Sequence, residues 1–313
     1  MTMSREQVIN AFVEHQSMHQ DLSPAGLKEI ACGLAELGGE VISRSSNEIG
    51  TISDIADTVE TKSSSVDPVT AVDKATESAL VEKLLTLRPN DGVVGEEGTG
   101  QQGSTGIDWI IDPIDGTVNF LYGIPEYAVS VAAVWGSAPV AGAVYNVAGD
   151  VMYSAHIGGG AYAITPHTVK SSDGFTLVKK PRRLRTNSIT DSSAALVATG
   201  FSYLSDRRLQ QASILARLLG DVRDIRRMGS AALDLCRVAS GQVDAFYEAA
   251  LNKWDYAAGM LIAQEAGAVV RAPKLSTEGS AGEVLVAYAP GIAETMDEIL
   301  RGAGALASLP VNQ

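Results

Sequence analysis

The apolar residues change period near residue 90, and that change confines the chain to folds in which helices cover a sheet. Upstream, a capping Ser23 and Pro24 precede Leu27, Ile30, Ala31, Leu34, Leu37 and Val41, which recur at helical spacing. Serines and an Asp-Pro pair at 63–68 break the chain before a second helical set, Val72, Ala75, Ala79, Leu80, Leu84 and Leu87, which ends at Arg88-Pro89. Downstream, Val93-Val94, Trp109-Ile110-Ile111 and the stretches 128–134, 140–147 and 151–154 are short β-type runs separated by Gly, Pro, Asn and Asp. They read as strands of one sheet. The second half alternates: strand 195–199, helices 206–219 and 230–240, the latter closed by Gly241, strands 243–247 and 283–289, and a helix near 291–302. Layered α/β or α+β architecture follows.

A core large enough for such layers is available, since 45% of the 313 residues are apolar. That length suits about two domains of roughly 150 residues, or one elaborated α/β domain. Residues 1–23 are polar and read as a flexible, loosely held extension. The polar stretch 166–187, with Lys179, Lys180, Arg182, Arg183 and Arg185, reads as a solvated connector between an N-terminal subdomain, 24–170, and a C-terminal one, 171–313. Charge narrows the partners. Twenty-four Lys and Arg against 37 Asp and Glu leave −13, which argues against general binding to nucleic acid or anionic membrane, though phosphate can still be bound locally. No apolar run approaches the roughly 18 residues needed to span a bilayer. Two cysteines, Cys32 and Cys236, cannot build a disulfide framework or a zinc site, and the amino terminus lacks the apolar stretch of a secretory signal. A cytoplasmic location is expected.

The chemistry concentrates where strands end in acids: Gly95-Glu96-Glu97, Asp112-Pro113-Ile114-Asp115-Gly116-Thr117 and Trp254-Asp255. After the buried-strand pattern of Ile110-Ile111, the Pro, Asp and Gly should carry Asp112 and Asp115 from a strand end into a turn. Gly116-Thr117 lets backbone N–H groups point outward, so such a turn can hold a cation and a phosphate together. If these acids converge, two full charges about 4 Å apart cost roughly 4 kcal/mol at an effective dielectric near 20. The cluster then needs cations or protons. Hard oxygen ligands, without cysteine or a histidine set, point to Mg²⁺, Mn²⁺ or Ca²⁺ over zinc or copper. Taken alone, the same Asp-Pro-x-Asp-Gly string is also an ordinary Asx or proline turn.

The run Trp109-Ile-Ile-Asp112-Pro-Ile-Asp115-Gly-Thr117-Val-Asn119-Phe, with Gly95-Glu96-Glu97 before it and Trp254-Asp255-Tyr-Ala-Ala-Gly259 after it, resembles the inositol monophosphatase family. Lys62-Ser63-Ser64, Asp67-Pro-Val-Thr70-Ala-Val-Asp73 and Gly229-Ser230-Ala231-Ala232 resemble further family segments in the same order, and the likeness covers about residues 25–300. The resemblance implies an α+β fold, the αβαβα sandwich shared with fructose-1,6-bisphosphatases. It also implies magnesium-dependent, lithium-inhibited hydrolysis of small-molecule phosphomonoesters by a homodimer.

Carried over by residue, it implies a first metal at Glu96, Asp112 and the Ile114 carbonyl, a second at Asp112, Asp115 and Asp255, and a third, weaker ion at Glu96. Thr117 bonded to Asp73 would activate the attacking water, with Glu96 assisting. The Gly116 and Thr117 amides would receive phosphate, and Gly229, Ser230, Ala231, Asp115 and Glu248 would line the polyol. Lys62 would lie in a serine-rich loop near the site. Inositol monophosphate is the leading substrate; histidinol phosphate, fructose 1,6-bisphosphate and nucleotide 3′-phosphates are the alternatives. A regulatory partner-binding protein that keeps the fold is the alternative of another class, and the basic 179–185 segment is its support.

Other features read plainly. Gly158-Gly159-Gly160 is a hairpin turn, His15, His19, His156 and His167 lack ligand spacing, and Cys236 is a small core residue. Arg226-Arg227 could face a dimer partner or a substrate anion, with a surface salt bridge as the plain alternative.

Overall fold

A computed structural model describes residues 5–18, 23–49, 60–61, 68–69, 71–171 and 174–309. Helix α1 (Arg5–Met18) precedes α2 (Pro24–Ile49), whose first turn is capped by the Ser23 hydroxyl accepting the Gly26 N–H at 3.0 Å. A two-residue antiparallel pair, β1 (Glu60–Thr61) and β2 (Pro68–Val69), leads to α3 (Ala71–Leu87), which stops before Pro89.

The first sheet follows: β3 (Gly92–Gly95), β4 (Gly100–Gln101), β5 (Ile107–Asp115), then, after the short helix α4 (Thr117–Leu121), β6 (Ala128–Trp135), β7 (Ala138–Asn146), β8 (Val151–His156), β9 (Gly160–Ser171) and β10 (Gly174–Arg183). Its order is β10-β9-β8-β7-β6-β5-β3-β4, antiparallel except where β3 runs beside β5. The second sheet is built from β11 (Leu196–Thr199), β12 (Asp224–Arg226), β13 (Ala245–Ala249), β14 (Val269–Arg271) and β15 (Val284–Tyr288), in the order β12-β11-β13-β15-β14. Between these strands run α5 (Ser205–Leu218), α6 (Ala231–Ser240) and α7 (Lys253–Glu265), and α8 (Ala293–Ala303) follows β15.

Side-chain alternation sorts these elements into five layers. Trp109 and Ile111 of β5 and Val129 and Val131 of β6 pack with Leu27 and Leu34 of α2 and Leu80 and Leu84 of α3. Ile110 and Ala132, pointing the other way, meet Leu233 and Cys236 of α6 and Ala257 and Leu261 of α7. The same two helices use Leu235, Val238 and Tyr256 against Phe246 and Leu285 of the second sheet. Its far face, with Val197, Tyr247 and Val286, is closed by Ile214 of α5 and Met296 and Leu300 of α8. The protein is an αβαβα layered α+β fold. Close contact in the middle layer depends on Gly142 of β7, where a Cβ would lie 3.0 Å from the Ala258 Cα of α7.

Three expectations need correction. Instead of a loose extension, Arg5–Met18 is helical, and Phe12 is fully buried 5.6 Å from the Trp135 ring, because Phe12, with Val8 and Ile9 partly buried beside it, docks an otherwise polar helix on the core. The polar stretch at 166–187 is not a connector: β9 and β10 form a long hairpin at the rim of the first sheet. A rim strand needs only one paired edge, so lysines and Pro181 are tolerated there. A boundary at 170/171 would cut this hairpin, and the two sheets part after Arg183 instead. Lastly, β5 continues through Asp112 to Asp115 rather than ending at Ile111.

Candidate active site

Strand β5 carries two acids to the site through an irregularity. Its pairing with β6 shifts register between Asp112 and Asp115, where Pro113 cannot donate to the ladder. Asp112 is buried and accepts the Ile114 N–H at 3.0 Å. Gly116 then takes φ 98°, and a Cβ there would sit 2.8 Å from the Glu126 carbonyl oxygen, so only glycine fits the turn into α4. Thr117 opens that helix. Its Oγ1 lies 3.2 Å from Asp73 Oδ1 and 3.0 Å from the Ile114 carbonyl oxygen. Asp73 is fully buried in the first turn of α3.

The other acids arrive on separate elements. Glu96 follows β3, its N–H donating to the Ile111 carbonyl at 3.2 Å. Glu77, buried on α3 one turn beyond Asp73, accepts the N–H groups of Glu97 at 2.8 Å and Thr99 at 3.0 Å and so fixes the loop that presents Glu96. Sequence reading missed Glu77, although its spacing from Asp73 places both on one helical face. Asp255 is the third residue of α7 and accepts the Asn252 N–H at 2.7 Å in a capping box. Asp115 joins the two halves of the chain: one of its carboxylate oxygens accepts the Ser230 hydroxyl at 2.6 Å and the Ala232 N–H at 2.7 Å at the start of α6.

These elements enclose a cavity of about 520 Å³ lined by Glu96, Asp112, Ile114, Asp115 and Asp255, with Thr117 and Glu248. Gly116, Gly229 and Ala231 also line it; Ser230 acts behind it through Asp115, and Asp73 through Thr117. Lys62 lies outside the described residues. Arg227, left unassigned by sequence, lines the cavity, whereas Arg226 makes a surface ion pair with Asp224 at 2.6 Å.

The acids press on one another. Burial, followed by the charges of Glu96, Asp115 and Asp255, holds the Asp112 carboxyl well above its usual range. Burial and then Glu96 do the same to Asp255. Burial raises Asp115 to about 6 against the opposing bonds from Ser230 and Ala232, and raises Glu248 to about 8 despite nearby Arg227. Among the described residues these side chains do not form a ready-made coordination shell. The donor set nevertheless fits hard divalent cations: acids this crowded favour protons or cations over bare charge, and every available ligand is oxygen.

Residues 24–301 match the inositol monophosphatase family. The chain belongs to that family. An inositol-1-monophosphatase of Mycobacterium leprae (strain TN) is 46% identical over 256 residues, covering 80% of this chain and 84% of that one. The solved structure of Mycobacterium tuberculosis SuhB is similar with a TM-score of 0.74 at 40% identity, covering 92% of this chain and 100% of that one. A protein of Xylella fastidiosa (strain Temecula1 / ATCC 700964) named Nus factor SuhB is 34% identical over 277 residues, 86% of this chain and 92% of its own length. Family and relatives together identify a phosphatase of the inositol monophosphatase type. No described helix is long and apolar enough to cross a membrane.

Proposed function

We propose that this protein is a magnesium-dependent phosphomonoesterase that hydrolyses inositol monophosphate to inositol and phosphate with water as nucleophile. What carries the reading is the gathering of Glu96, Asp112, Asp115 and Asp255 in one cavity with Thr117, itself bonded to buried Asp73. Glu96, Asp112 and the Ile114 carbonyl would hold one ion, Asp112, Asp115 and Asp255 a second, and Glu96 a third. When bound, such ions neutralise phosphoryl charge and acidify water.

The chain's own groups supply orientation and proton handling. With its hydroxyl proton directed at Asp73, Thr117 Oγ1 accepts from a water and aligns it, and Glu96 assists by taking a proton. The Gly116 and Thr117 amides donate to phosphate oxygens, while Asp115, Glu248 and the Gly229–Ala231 segment meet ring hydroxyls. Homodimerisation, lithium inhibition, replacement of Mg²⁺ by Mn²⁺ and a cytoplasmic location belong to the same proposal.

Phosphate release from inositol 1-phosphate, histidinol phosphate, fructose 1,6-bisphosphate and a nucleotide 3′-phosphate at matched Mg²⁺ tests it. Inositol 1-phosphate should be the best of the four; a strong preference for histidinol phosphate would overturn the substrate. A second reading, partner binding in transcription, draws on the X. fastidiosa relative's name and on the lysines and arginines of β10. Capture of transcription proteins by the wild type but not by a chain neutralised from Lys179 to Arg185 would support it; no specific partner captured by the wild type would sink it.

A further inference from the structure

Asn119 joins two stretches of chain that the phosphatase reading assigns to different parts of one substrate. It is the third residue of α4, two positions beyond the Thr117 amide that would receive phosphate, and it is buried. Its Nδ2 donates to the Glu126 carbonyl at 2.8 Å and to the Met228 carbonyl at 2.7 Å. A primary amide nitrogen carries two protons, so both are spent. The first acceptor lies 7 residues away along the chain and the second 109, and Met228 directly precedes the Gly229–Ala231 segment. The bond to Met228 therefore ties α4 to the entry of α6 across the two halves of the chain.

The two stretches touch. Gly229 takes φ 95°, and a Cβ there would lie 2.8 Å from Asn119 Nδ2. A Cβ on Gly116 would lie 3.3 Å from the Gly229 carbonyl oxygen, so the turn into α4 packs directly on the turn into α6. Asp115 fixes the downstream side of this segment through Ser230 and Ala232, and Asn119 fixes the upstream side at Met228. Glu126 is held a second time, through its carboxylate, by Arg237 of α6, which also donates to Asp234 at 2.9 Å. The loop between α4 and β6 thus stays bound to α6 when Asn119 is replaced, and what is released is the spacing of Met228-Gly229 from α4.

We infer that Asn119 is a positioning residue that sets the distance between the phosphate-receiving turn, Gly116-Thr117, and the ring-facing segment, Gly229–Ala231. Asn119 does not itself line the cavity and acts through the Met228 carbonyl. The inference deepens the phosphatase reading and rests on it for the consequence, though not for the tie itself. A ring held at the wrong distance from its phosphate loses contacts made equally in the ground state and the transition state, so the loss is expressed in KM and not in kcat.

Kinetics with inositol 1-phosphate, set beside competitive inhibition by inorganic phosphate, separate the two contacts, because inorganic phosphate has no ring. In Asn119→Ala, with the full chain at saturating Mg²⁺, KM for inositol 1-phosphate should rise about tenfold, while kcat and the Ki of phosphate stay within about twofold of the wild type. Asn119→Leu, which keeps the volume and lacks the donors, should behave alike and serves where the smaller side chain costs too much stability. Assays run well below each Tm, so that unfolding does not mimic the change. A KM within about twofold of the wild type, or KM and Ki rising together, overturns the inference. A wild type that does not turn over inositol 1-phosphate would refute the proposed function instead. Crystal structures of the wild type and Asn119→Leu then decide the tie: Gly229 displaced from Gly116 with the body of α6 unmoved supports it, and coincident positions end it.

Discussion

Asp115 is tied to both halves of the chain, since it ends β5 and yet accepts from Ser230 and Ala232 on α6. Asp115→Asn keeps the shape and removes the charge. Turnover of inositol 1-phosphate should fall by about 100-fold or more, the scale for losing one preorganised charge at a reacting phosphate. Full turnover in that variant would dismiss the proposed metal site. Asp73→Asn probes a different step: it weakens the acceptor behind Thr117, so kcat should drop by about 10²-fold with KM little changed. Gly116→Ala is a backbone test. Its φ of 98° and the Glu126 carbonyl oxygen 2.8 Å from the added Cβ predict a cost of about 1–3 kcal/mol, read as a Tm lower by several degrees. At this scale the acids were legible because Pro and Gly interrupt an apolar run beside them. Glu77 and Arg227 were not, since a lone Glu on a helix and an Arg pair before a turn look like ordinary surface charge until folding places them.

Helix α6 lines the cavity with Ala231 and also supports Asp115 from behind it. Ser230 caps it by accepting the Leu233 N–H at 3.2 Å, and the same hydroxyl donates to Asp115. Ser230→Ala should therefore cost about 1 kcal/mol for the cap and also loosen Asp115, lowering activity at limiting Mg²⁺ more than at saturation. A variant with reduced Tm but an unchanged Mg²⁺ dependence would separate the cap from the site. Both ends of this helix were legible, Ser230 at its start and Gly241, at φ 72°, past its end. The β9–β10 hairpin was not. Sequence rules look for alternating apolar residues, and a rim strand that faces water along one side does not need them.

Across the whole molecule, the proposed metal site would set protons and divalent cations in competition for one set of acids. Asp115 and Glu248 are raised in the fold to about 6 and 8, and Asp234, buried beneath them on α6, to about 7, against ordinary values of 3.8, 4.5 and 3.8. Without divalent cations the folded chain thus binds more protons than the unfolded chain between about pH 4 and pH 8. The stabilisation is whole below that window and is lost as pH rises through it. Metal-free protein should consequently melt at a lower temperature at pH 8 than at pH 5, and Mg²⁺ should raise Tm more at pH 8. Equal shifts by Mg²⁺ at both values would show that these acids do not form its site.

The order of apolar periods determined that helices would cover sheets, and the strand-end acids with the Gly-Thr turn determined what kind of chemistry the chain could support, because both are written in local residue spacing. Only tertiary structure decided that α3 would set Asp73 against Thr117 and Glu77 behind Glu96, that α6 would bond Asp115, and that Arg227 would share a cavity with the acids. These pairings join residues up to 117 positions apart, and a distance across the fold has no counterpart in distance along the chain.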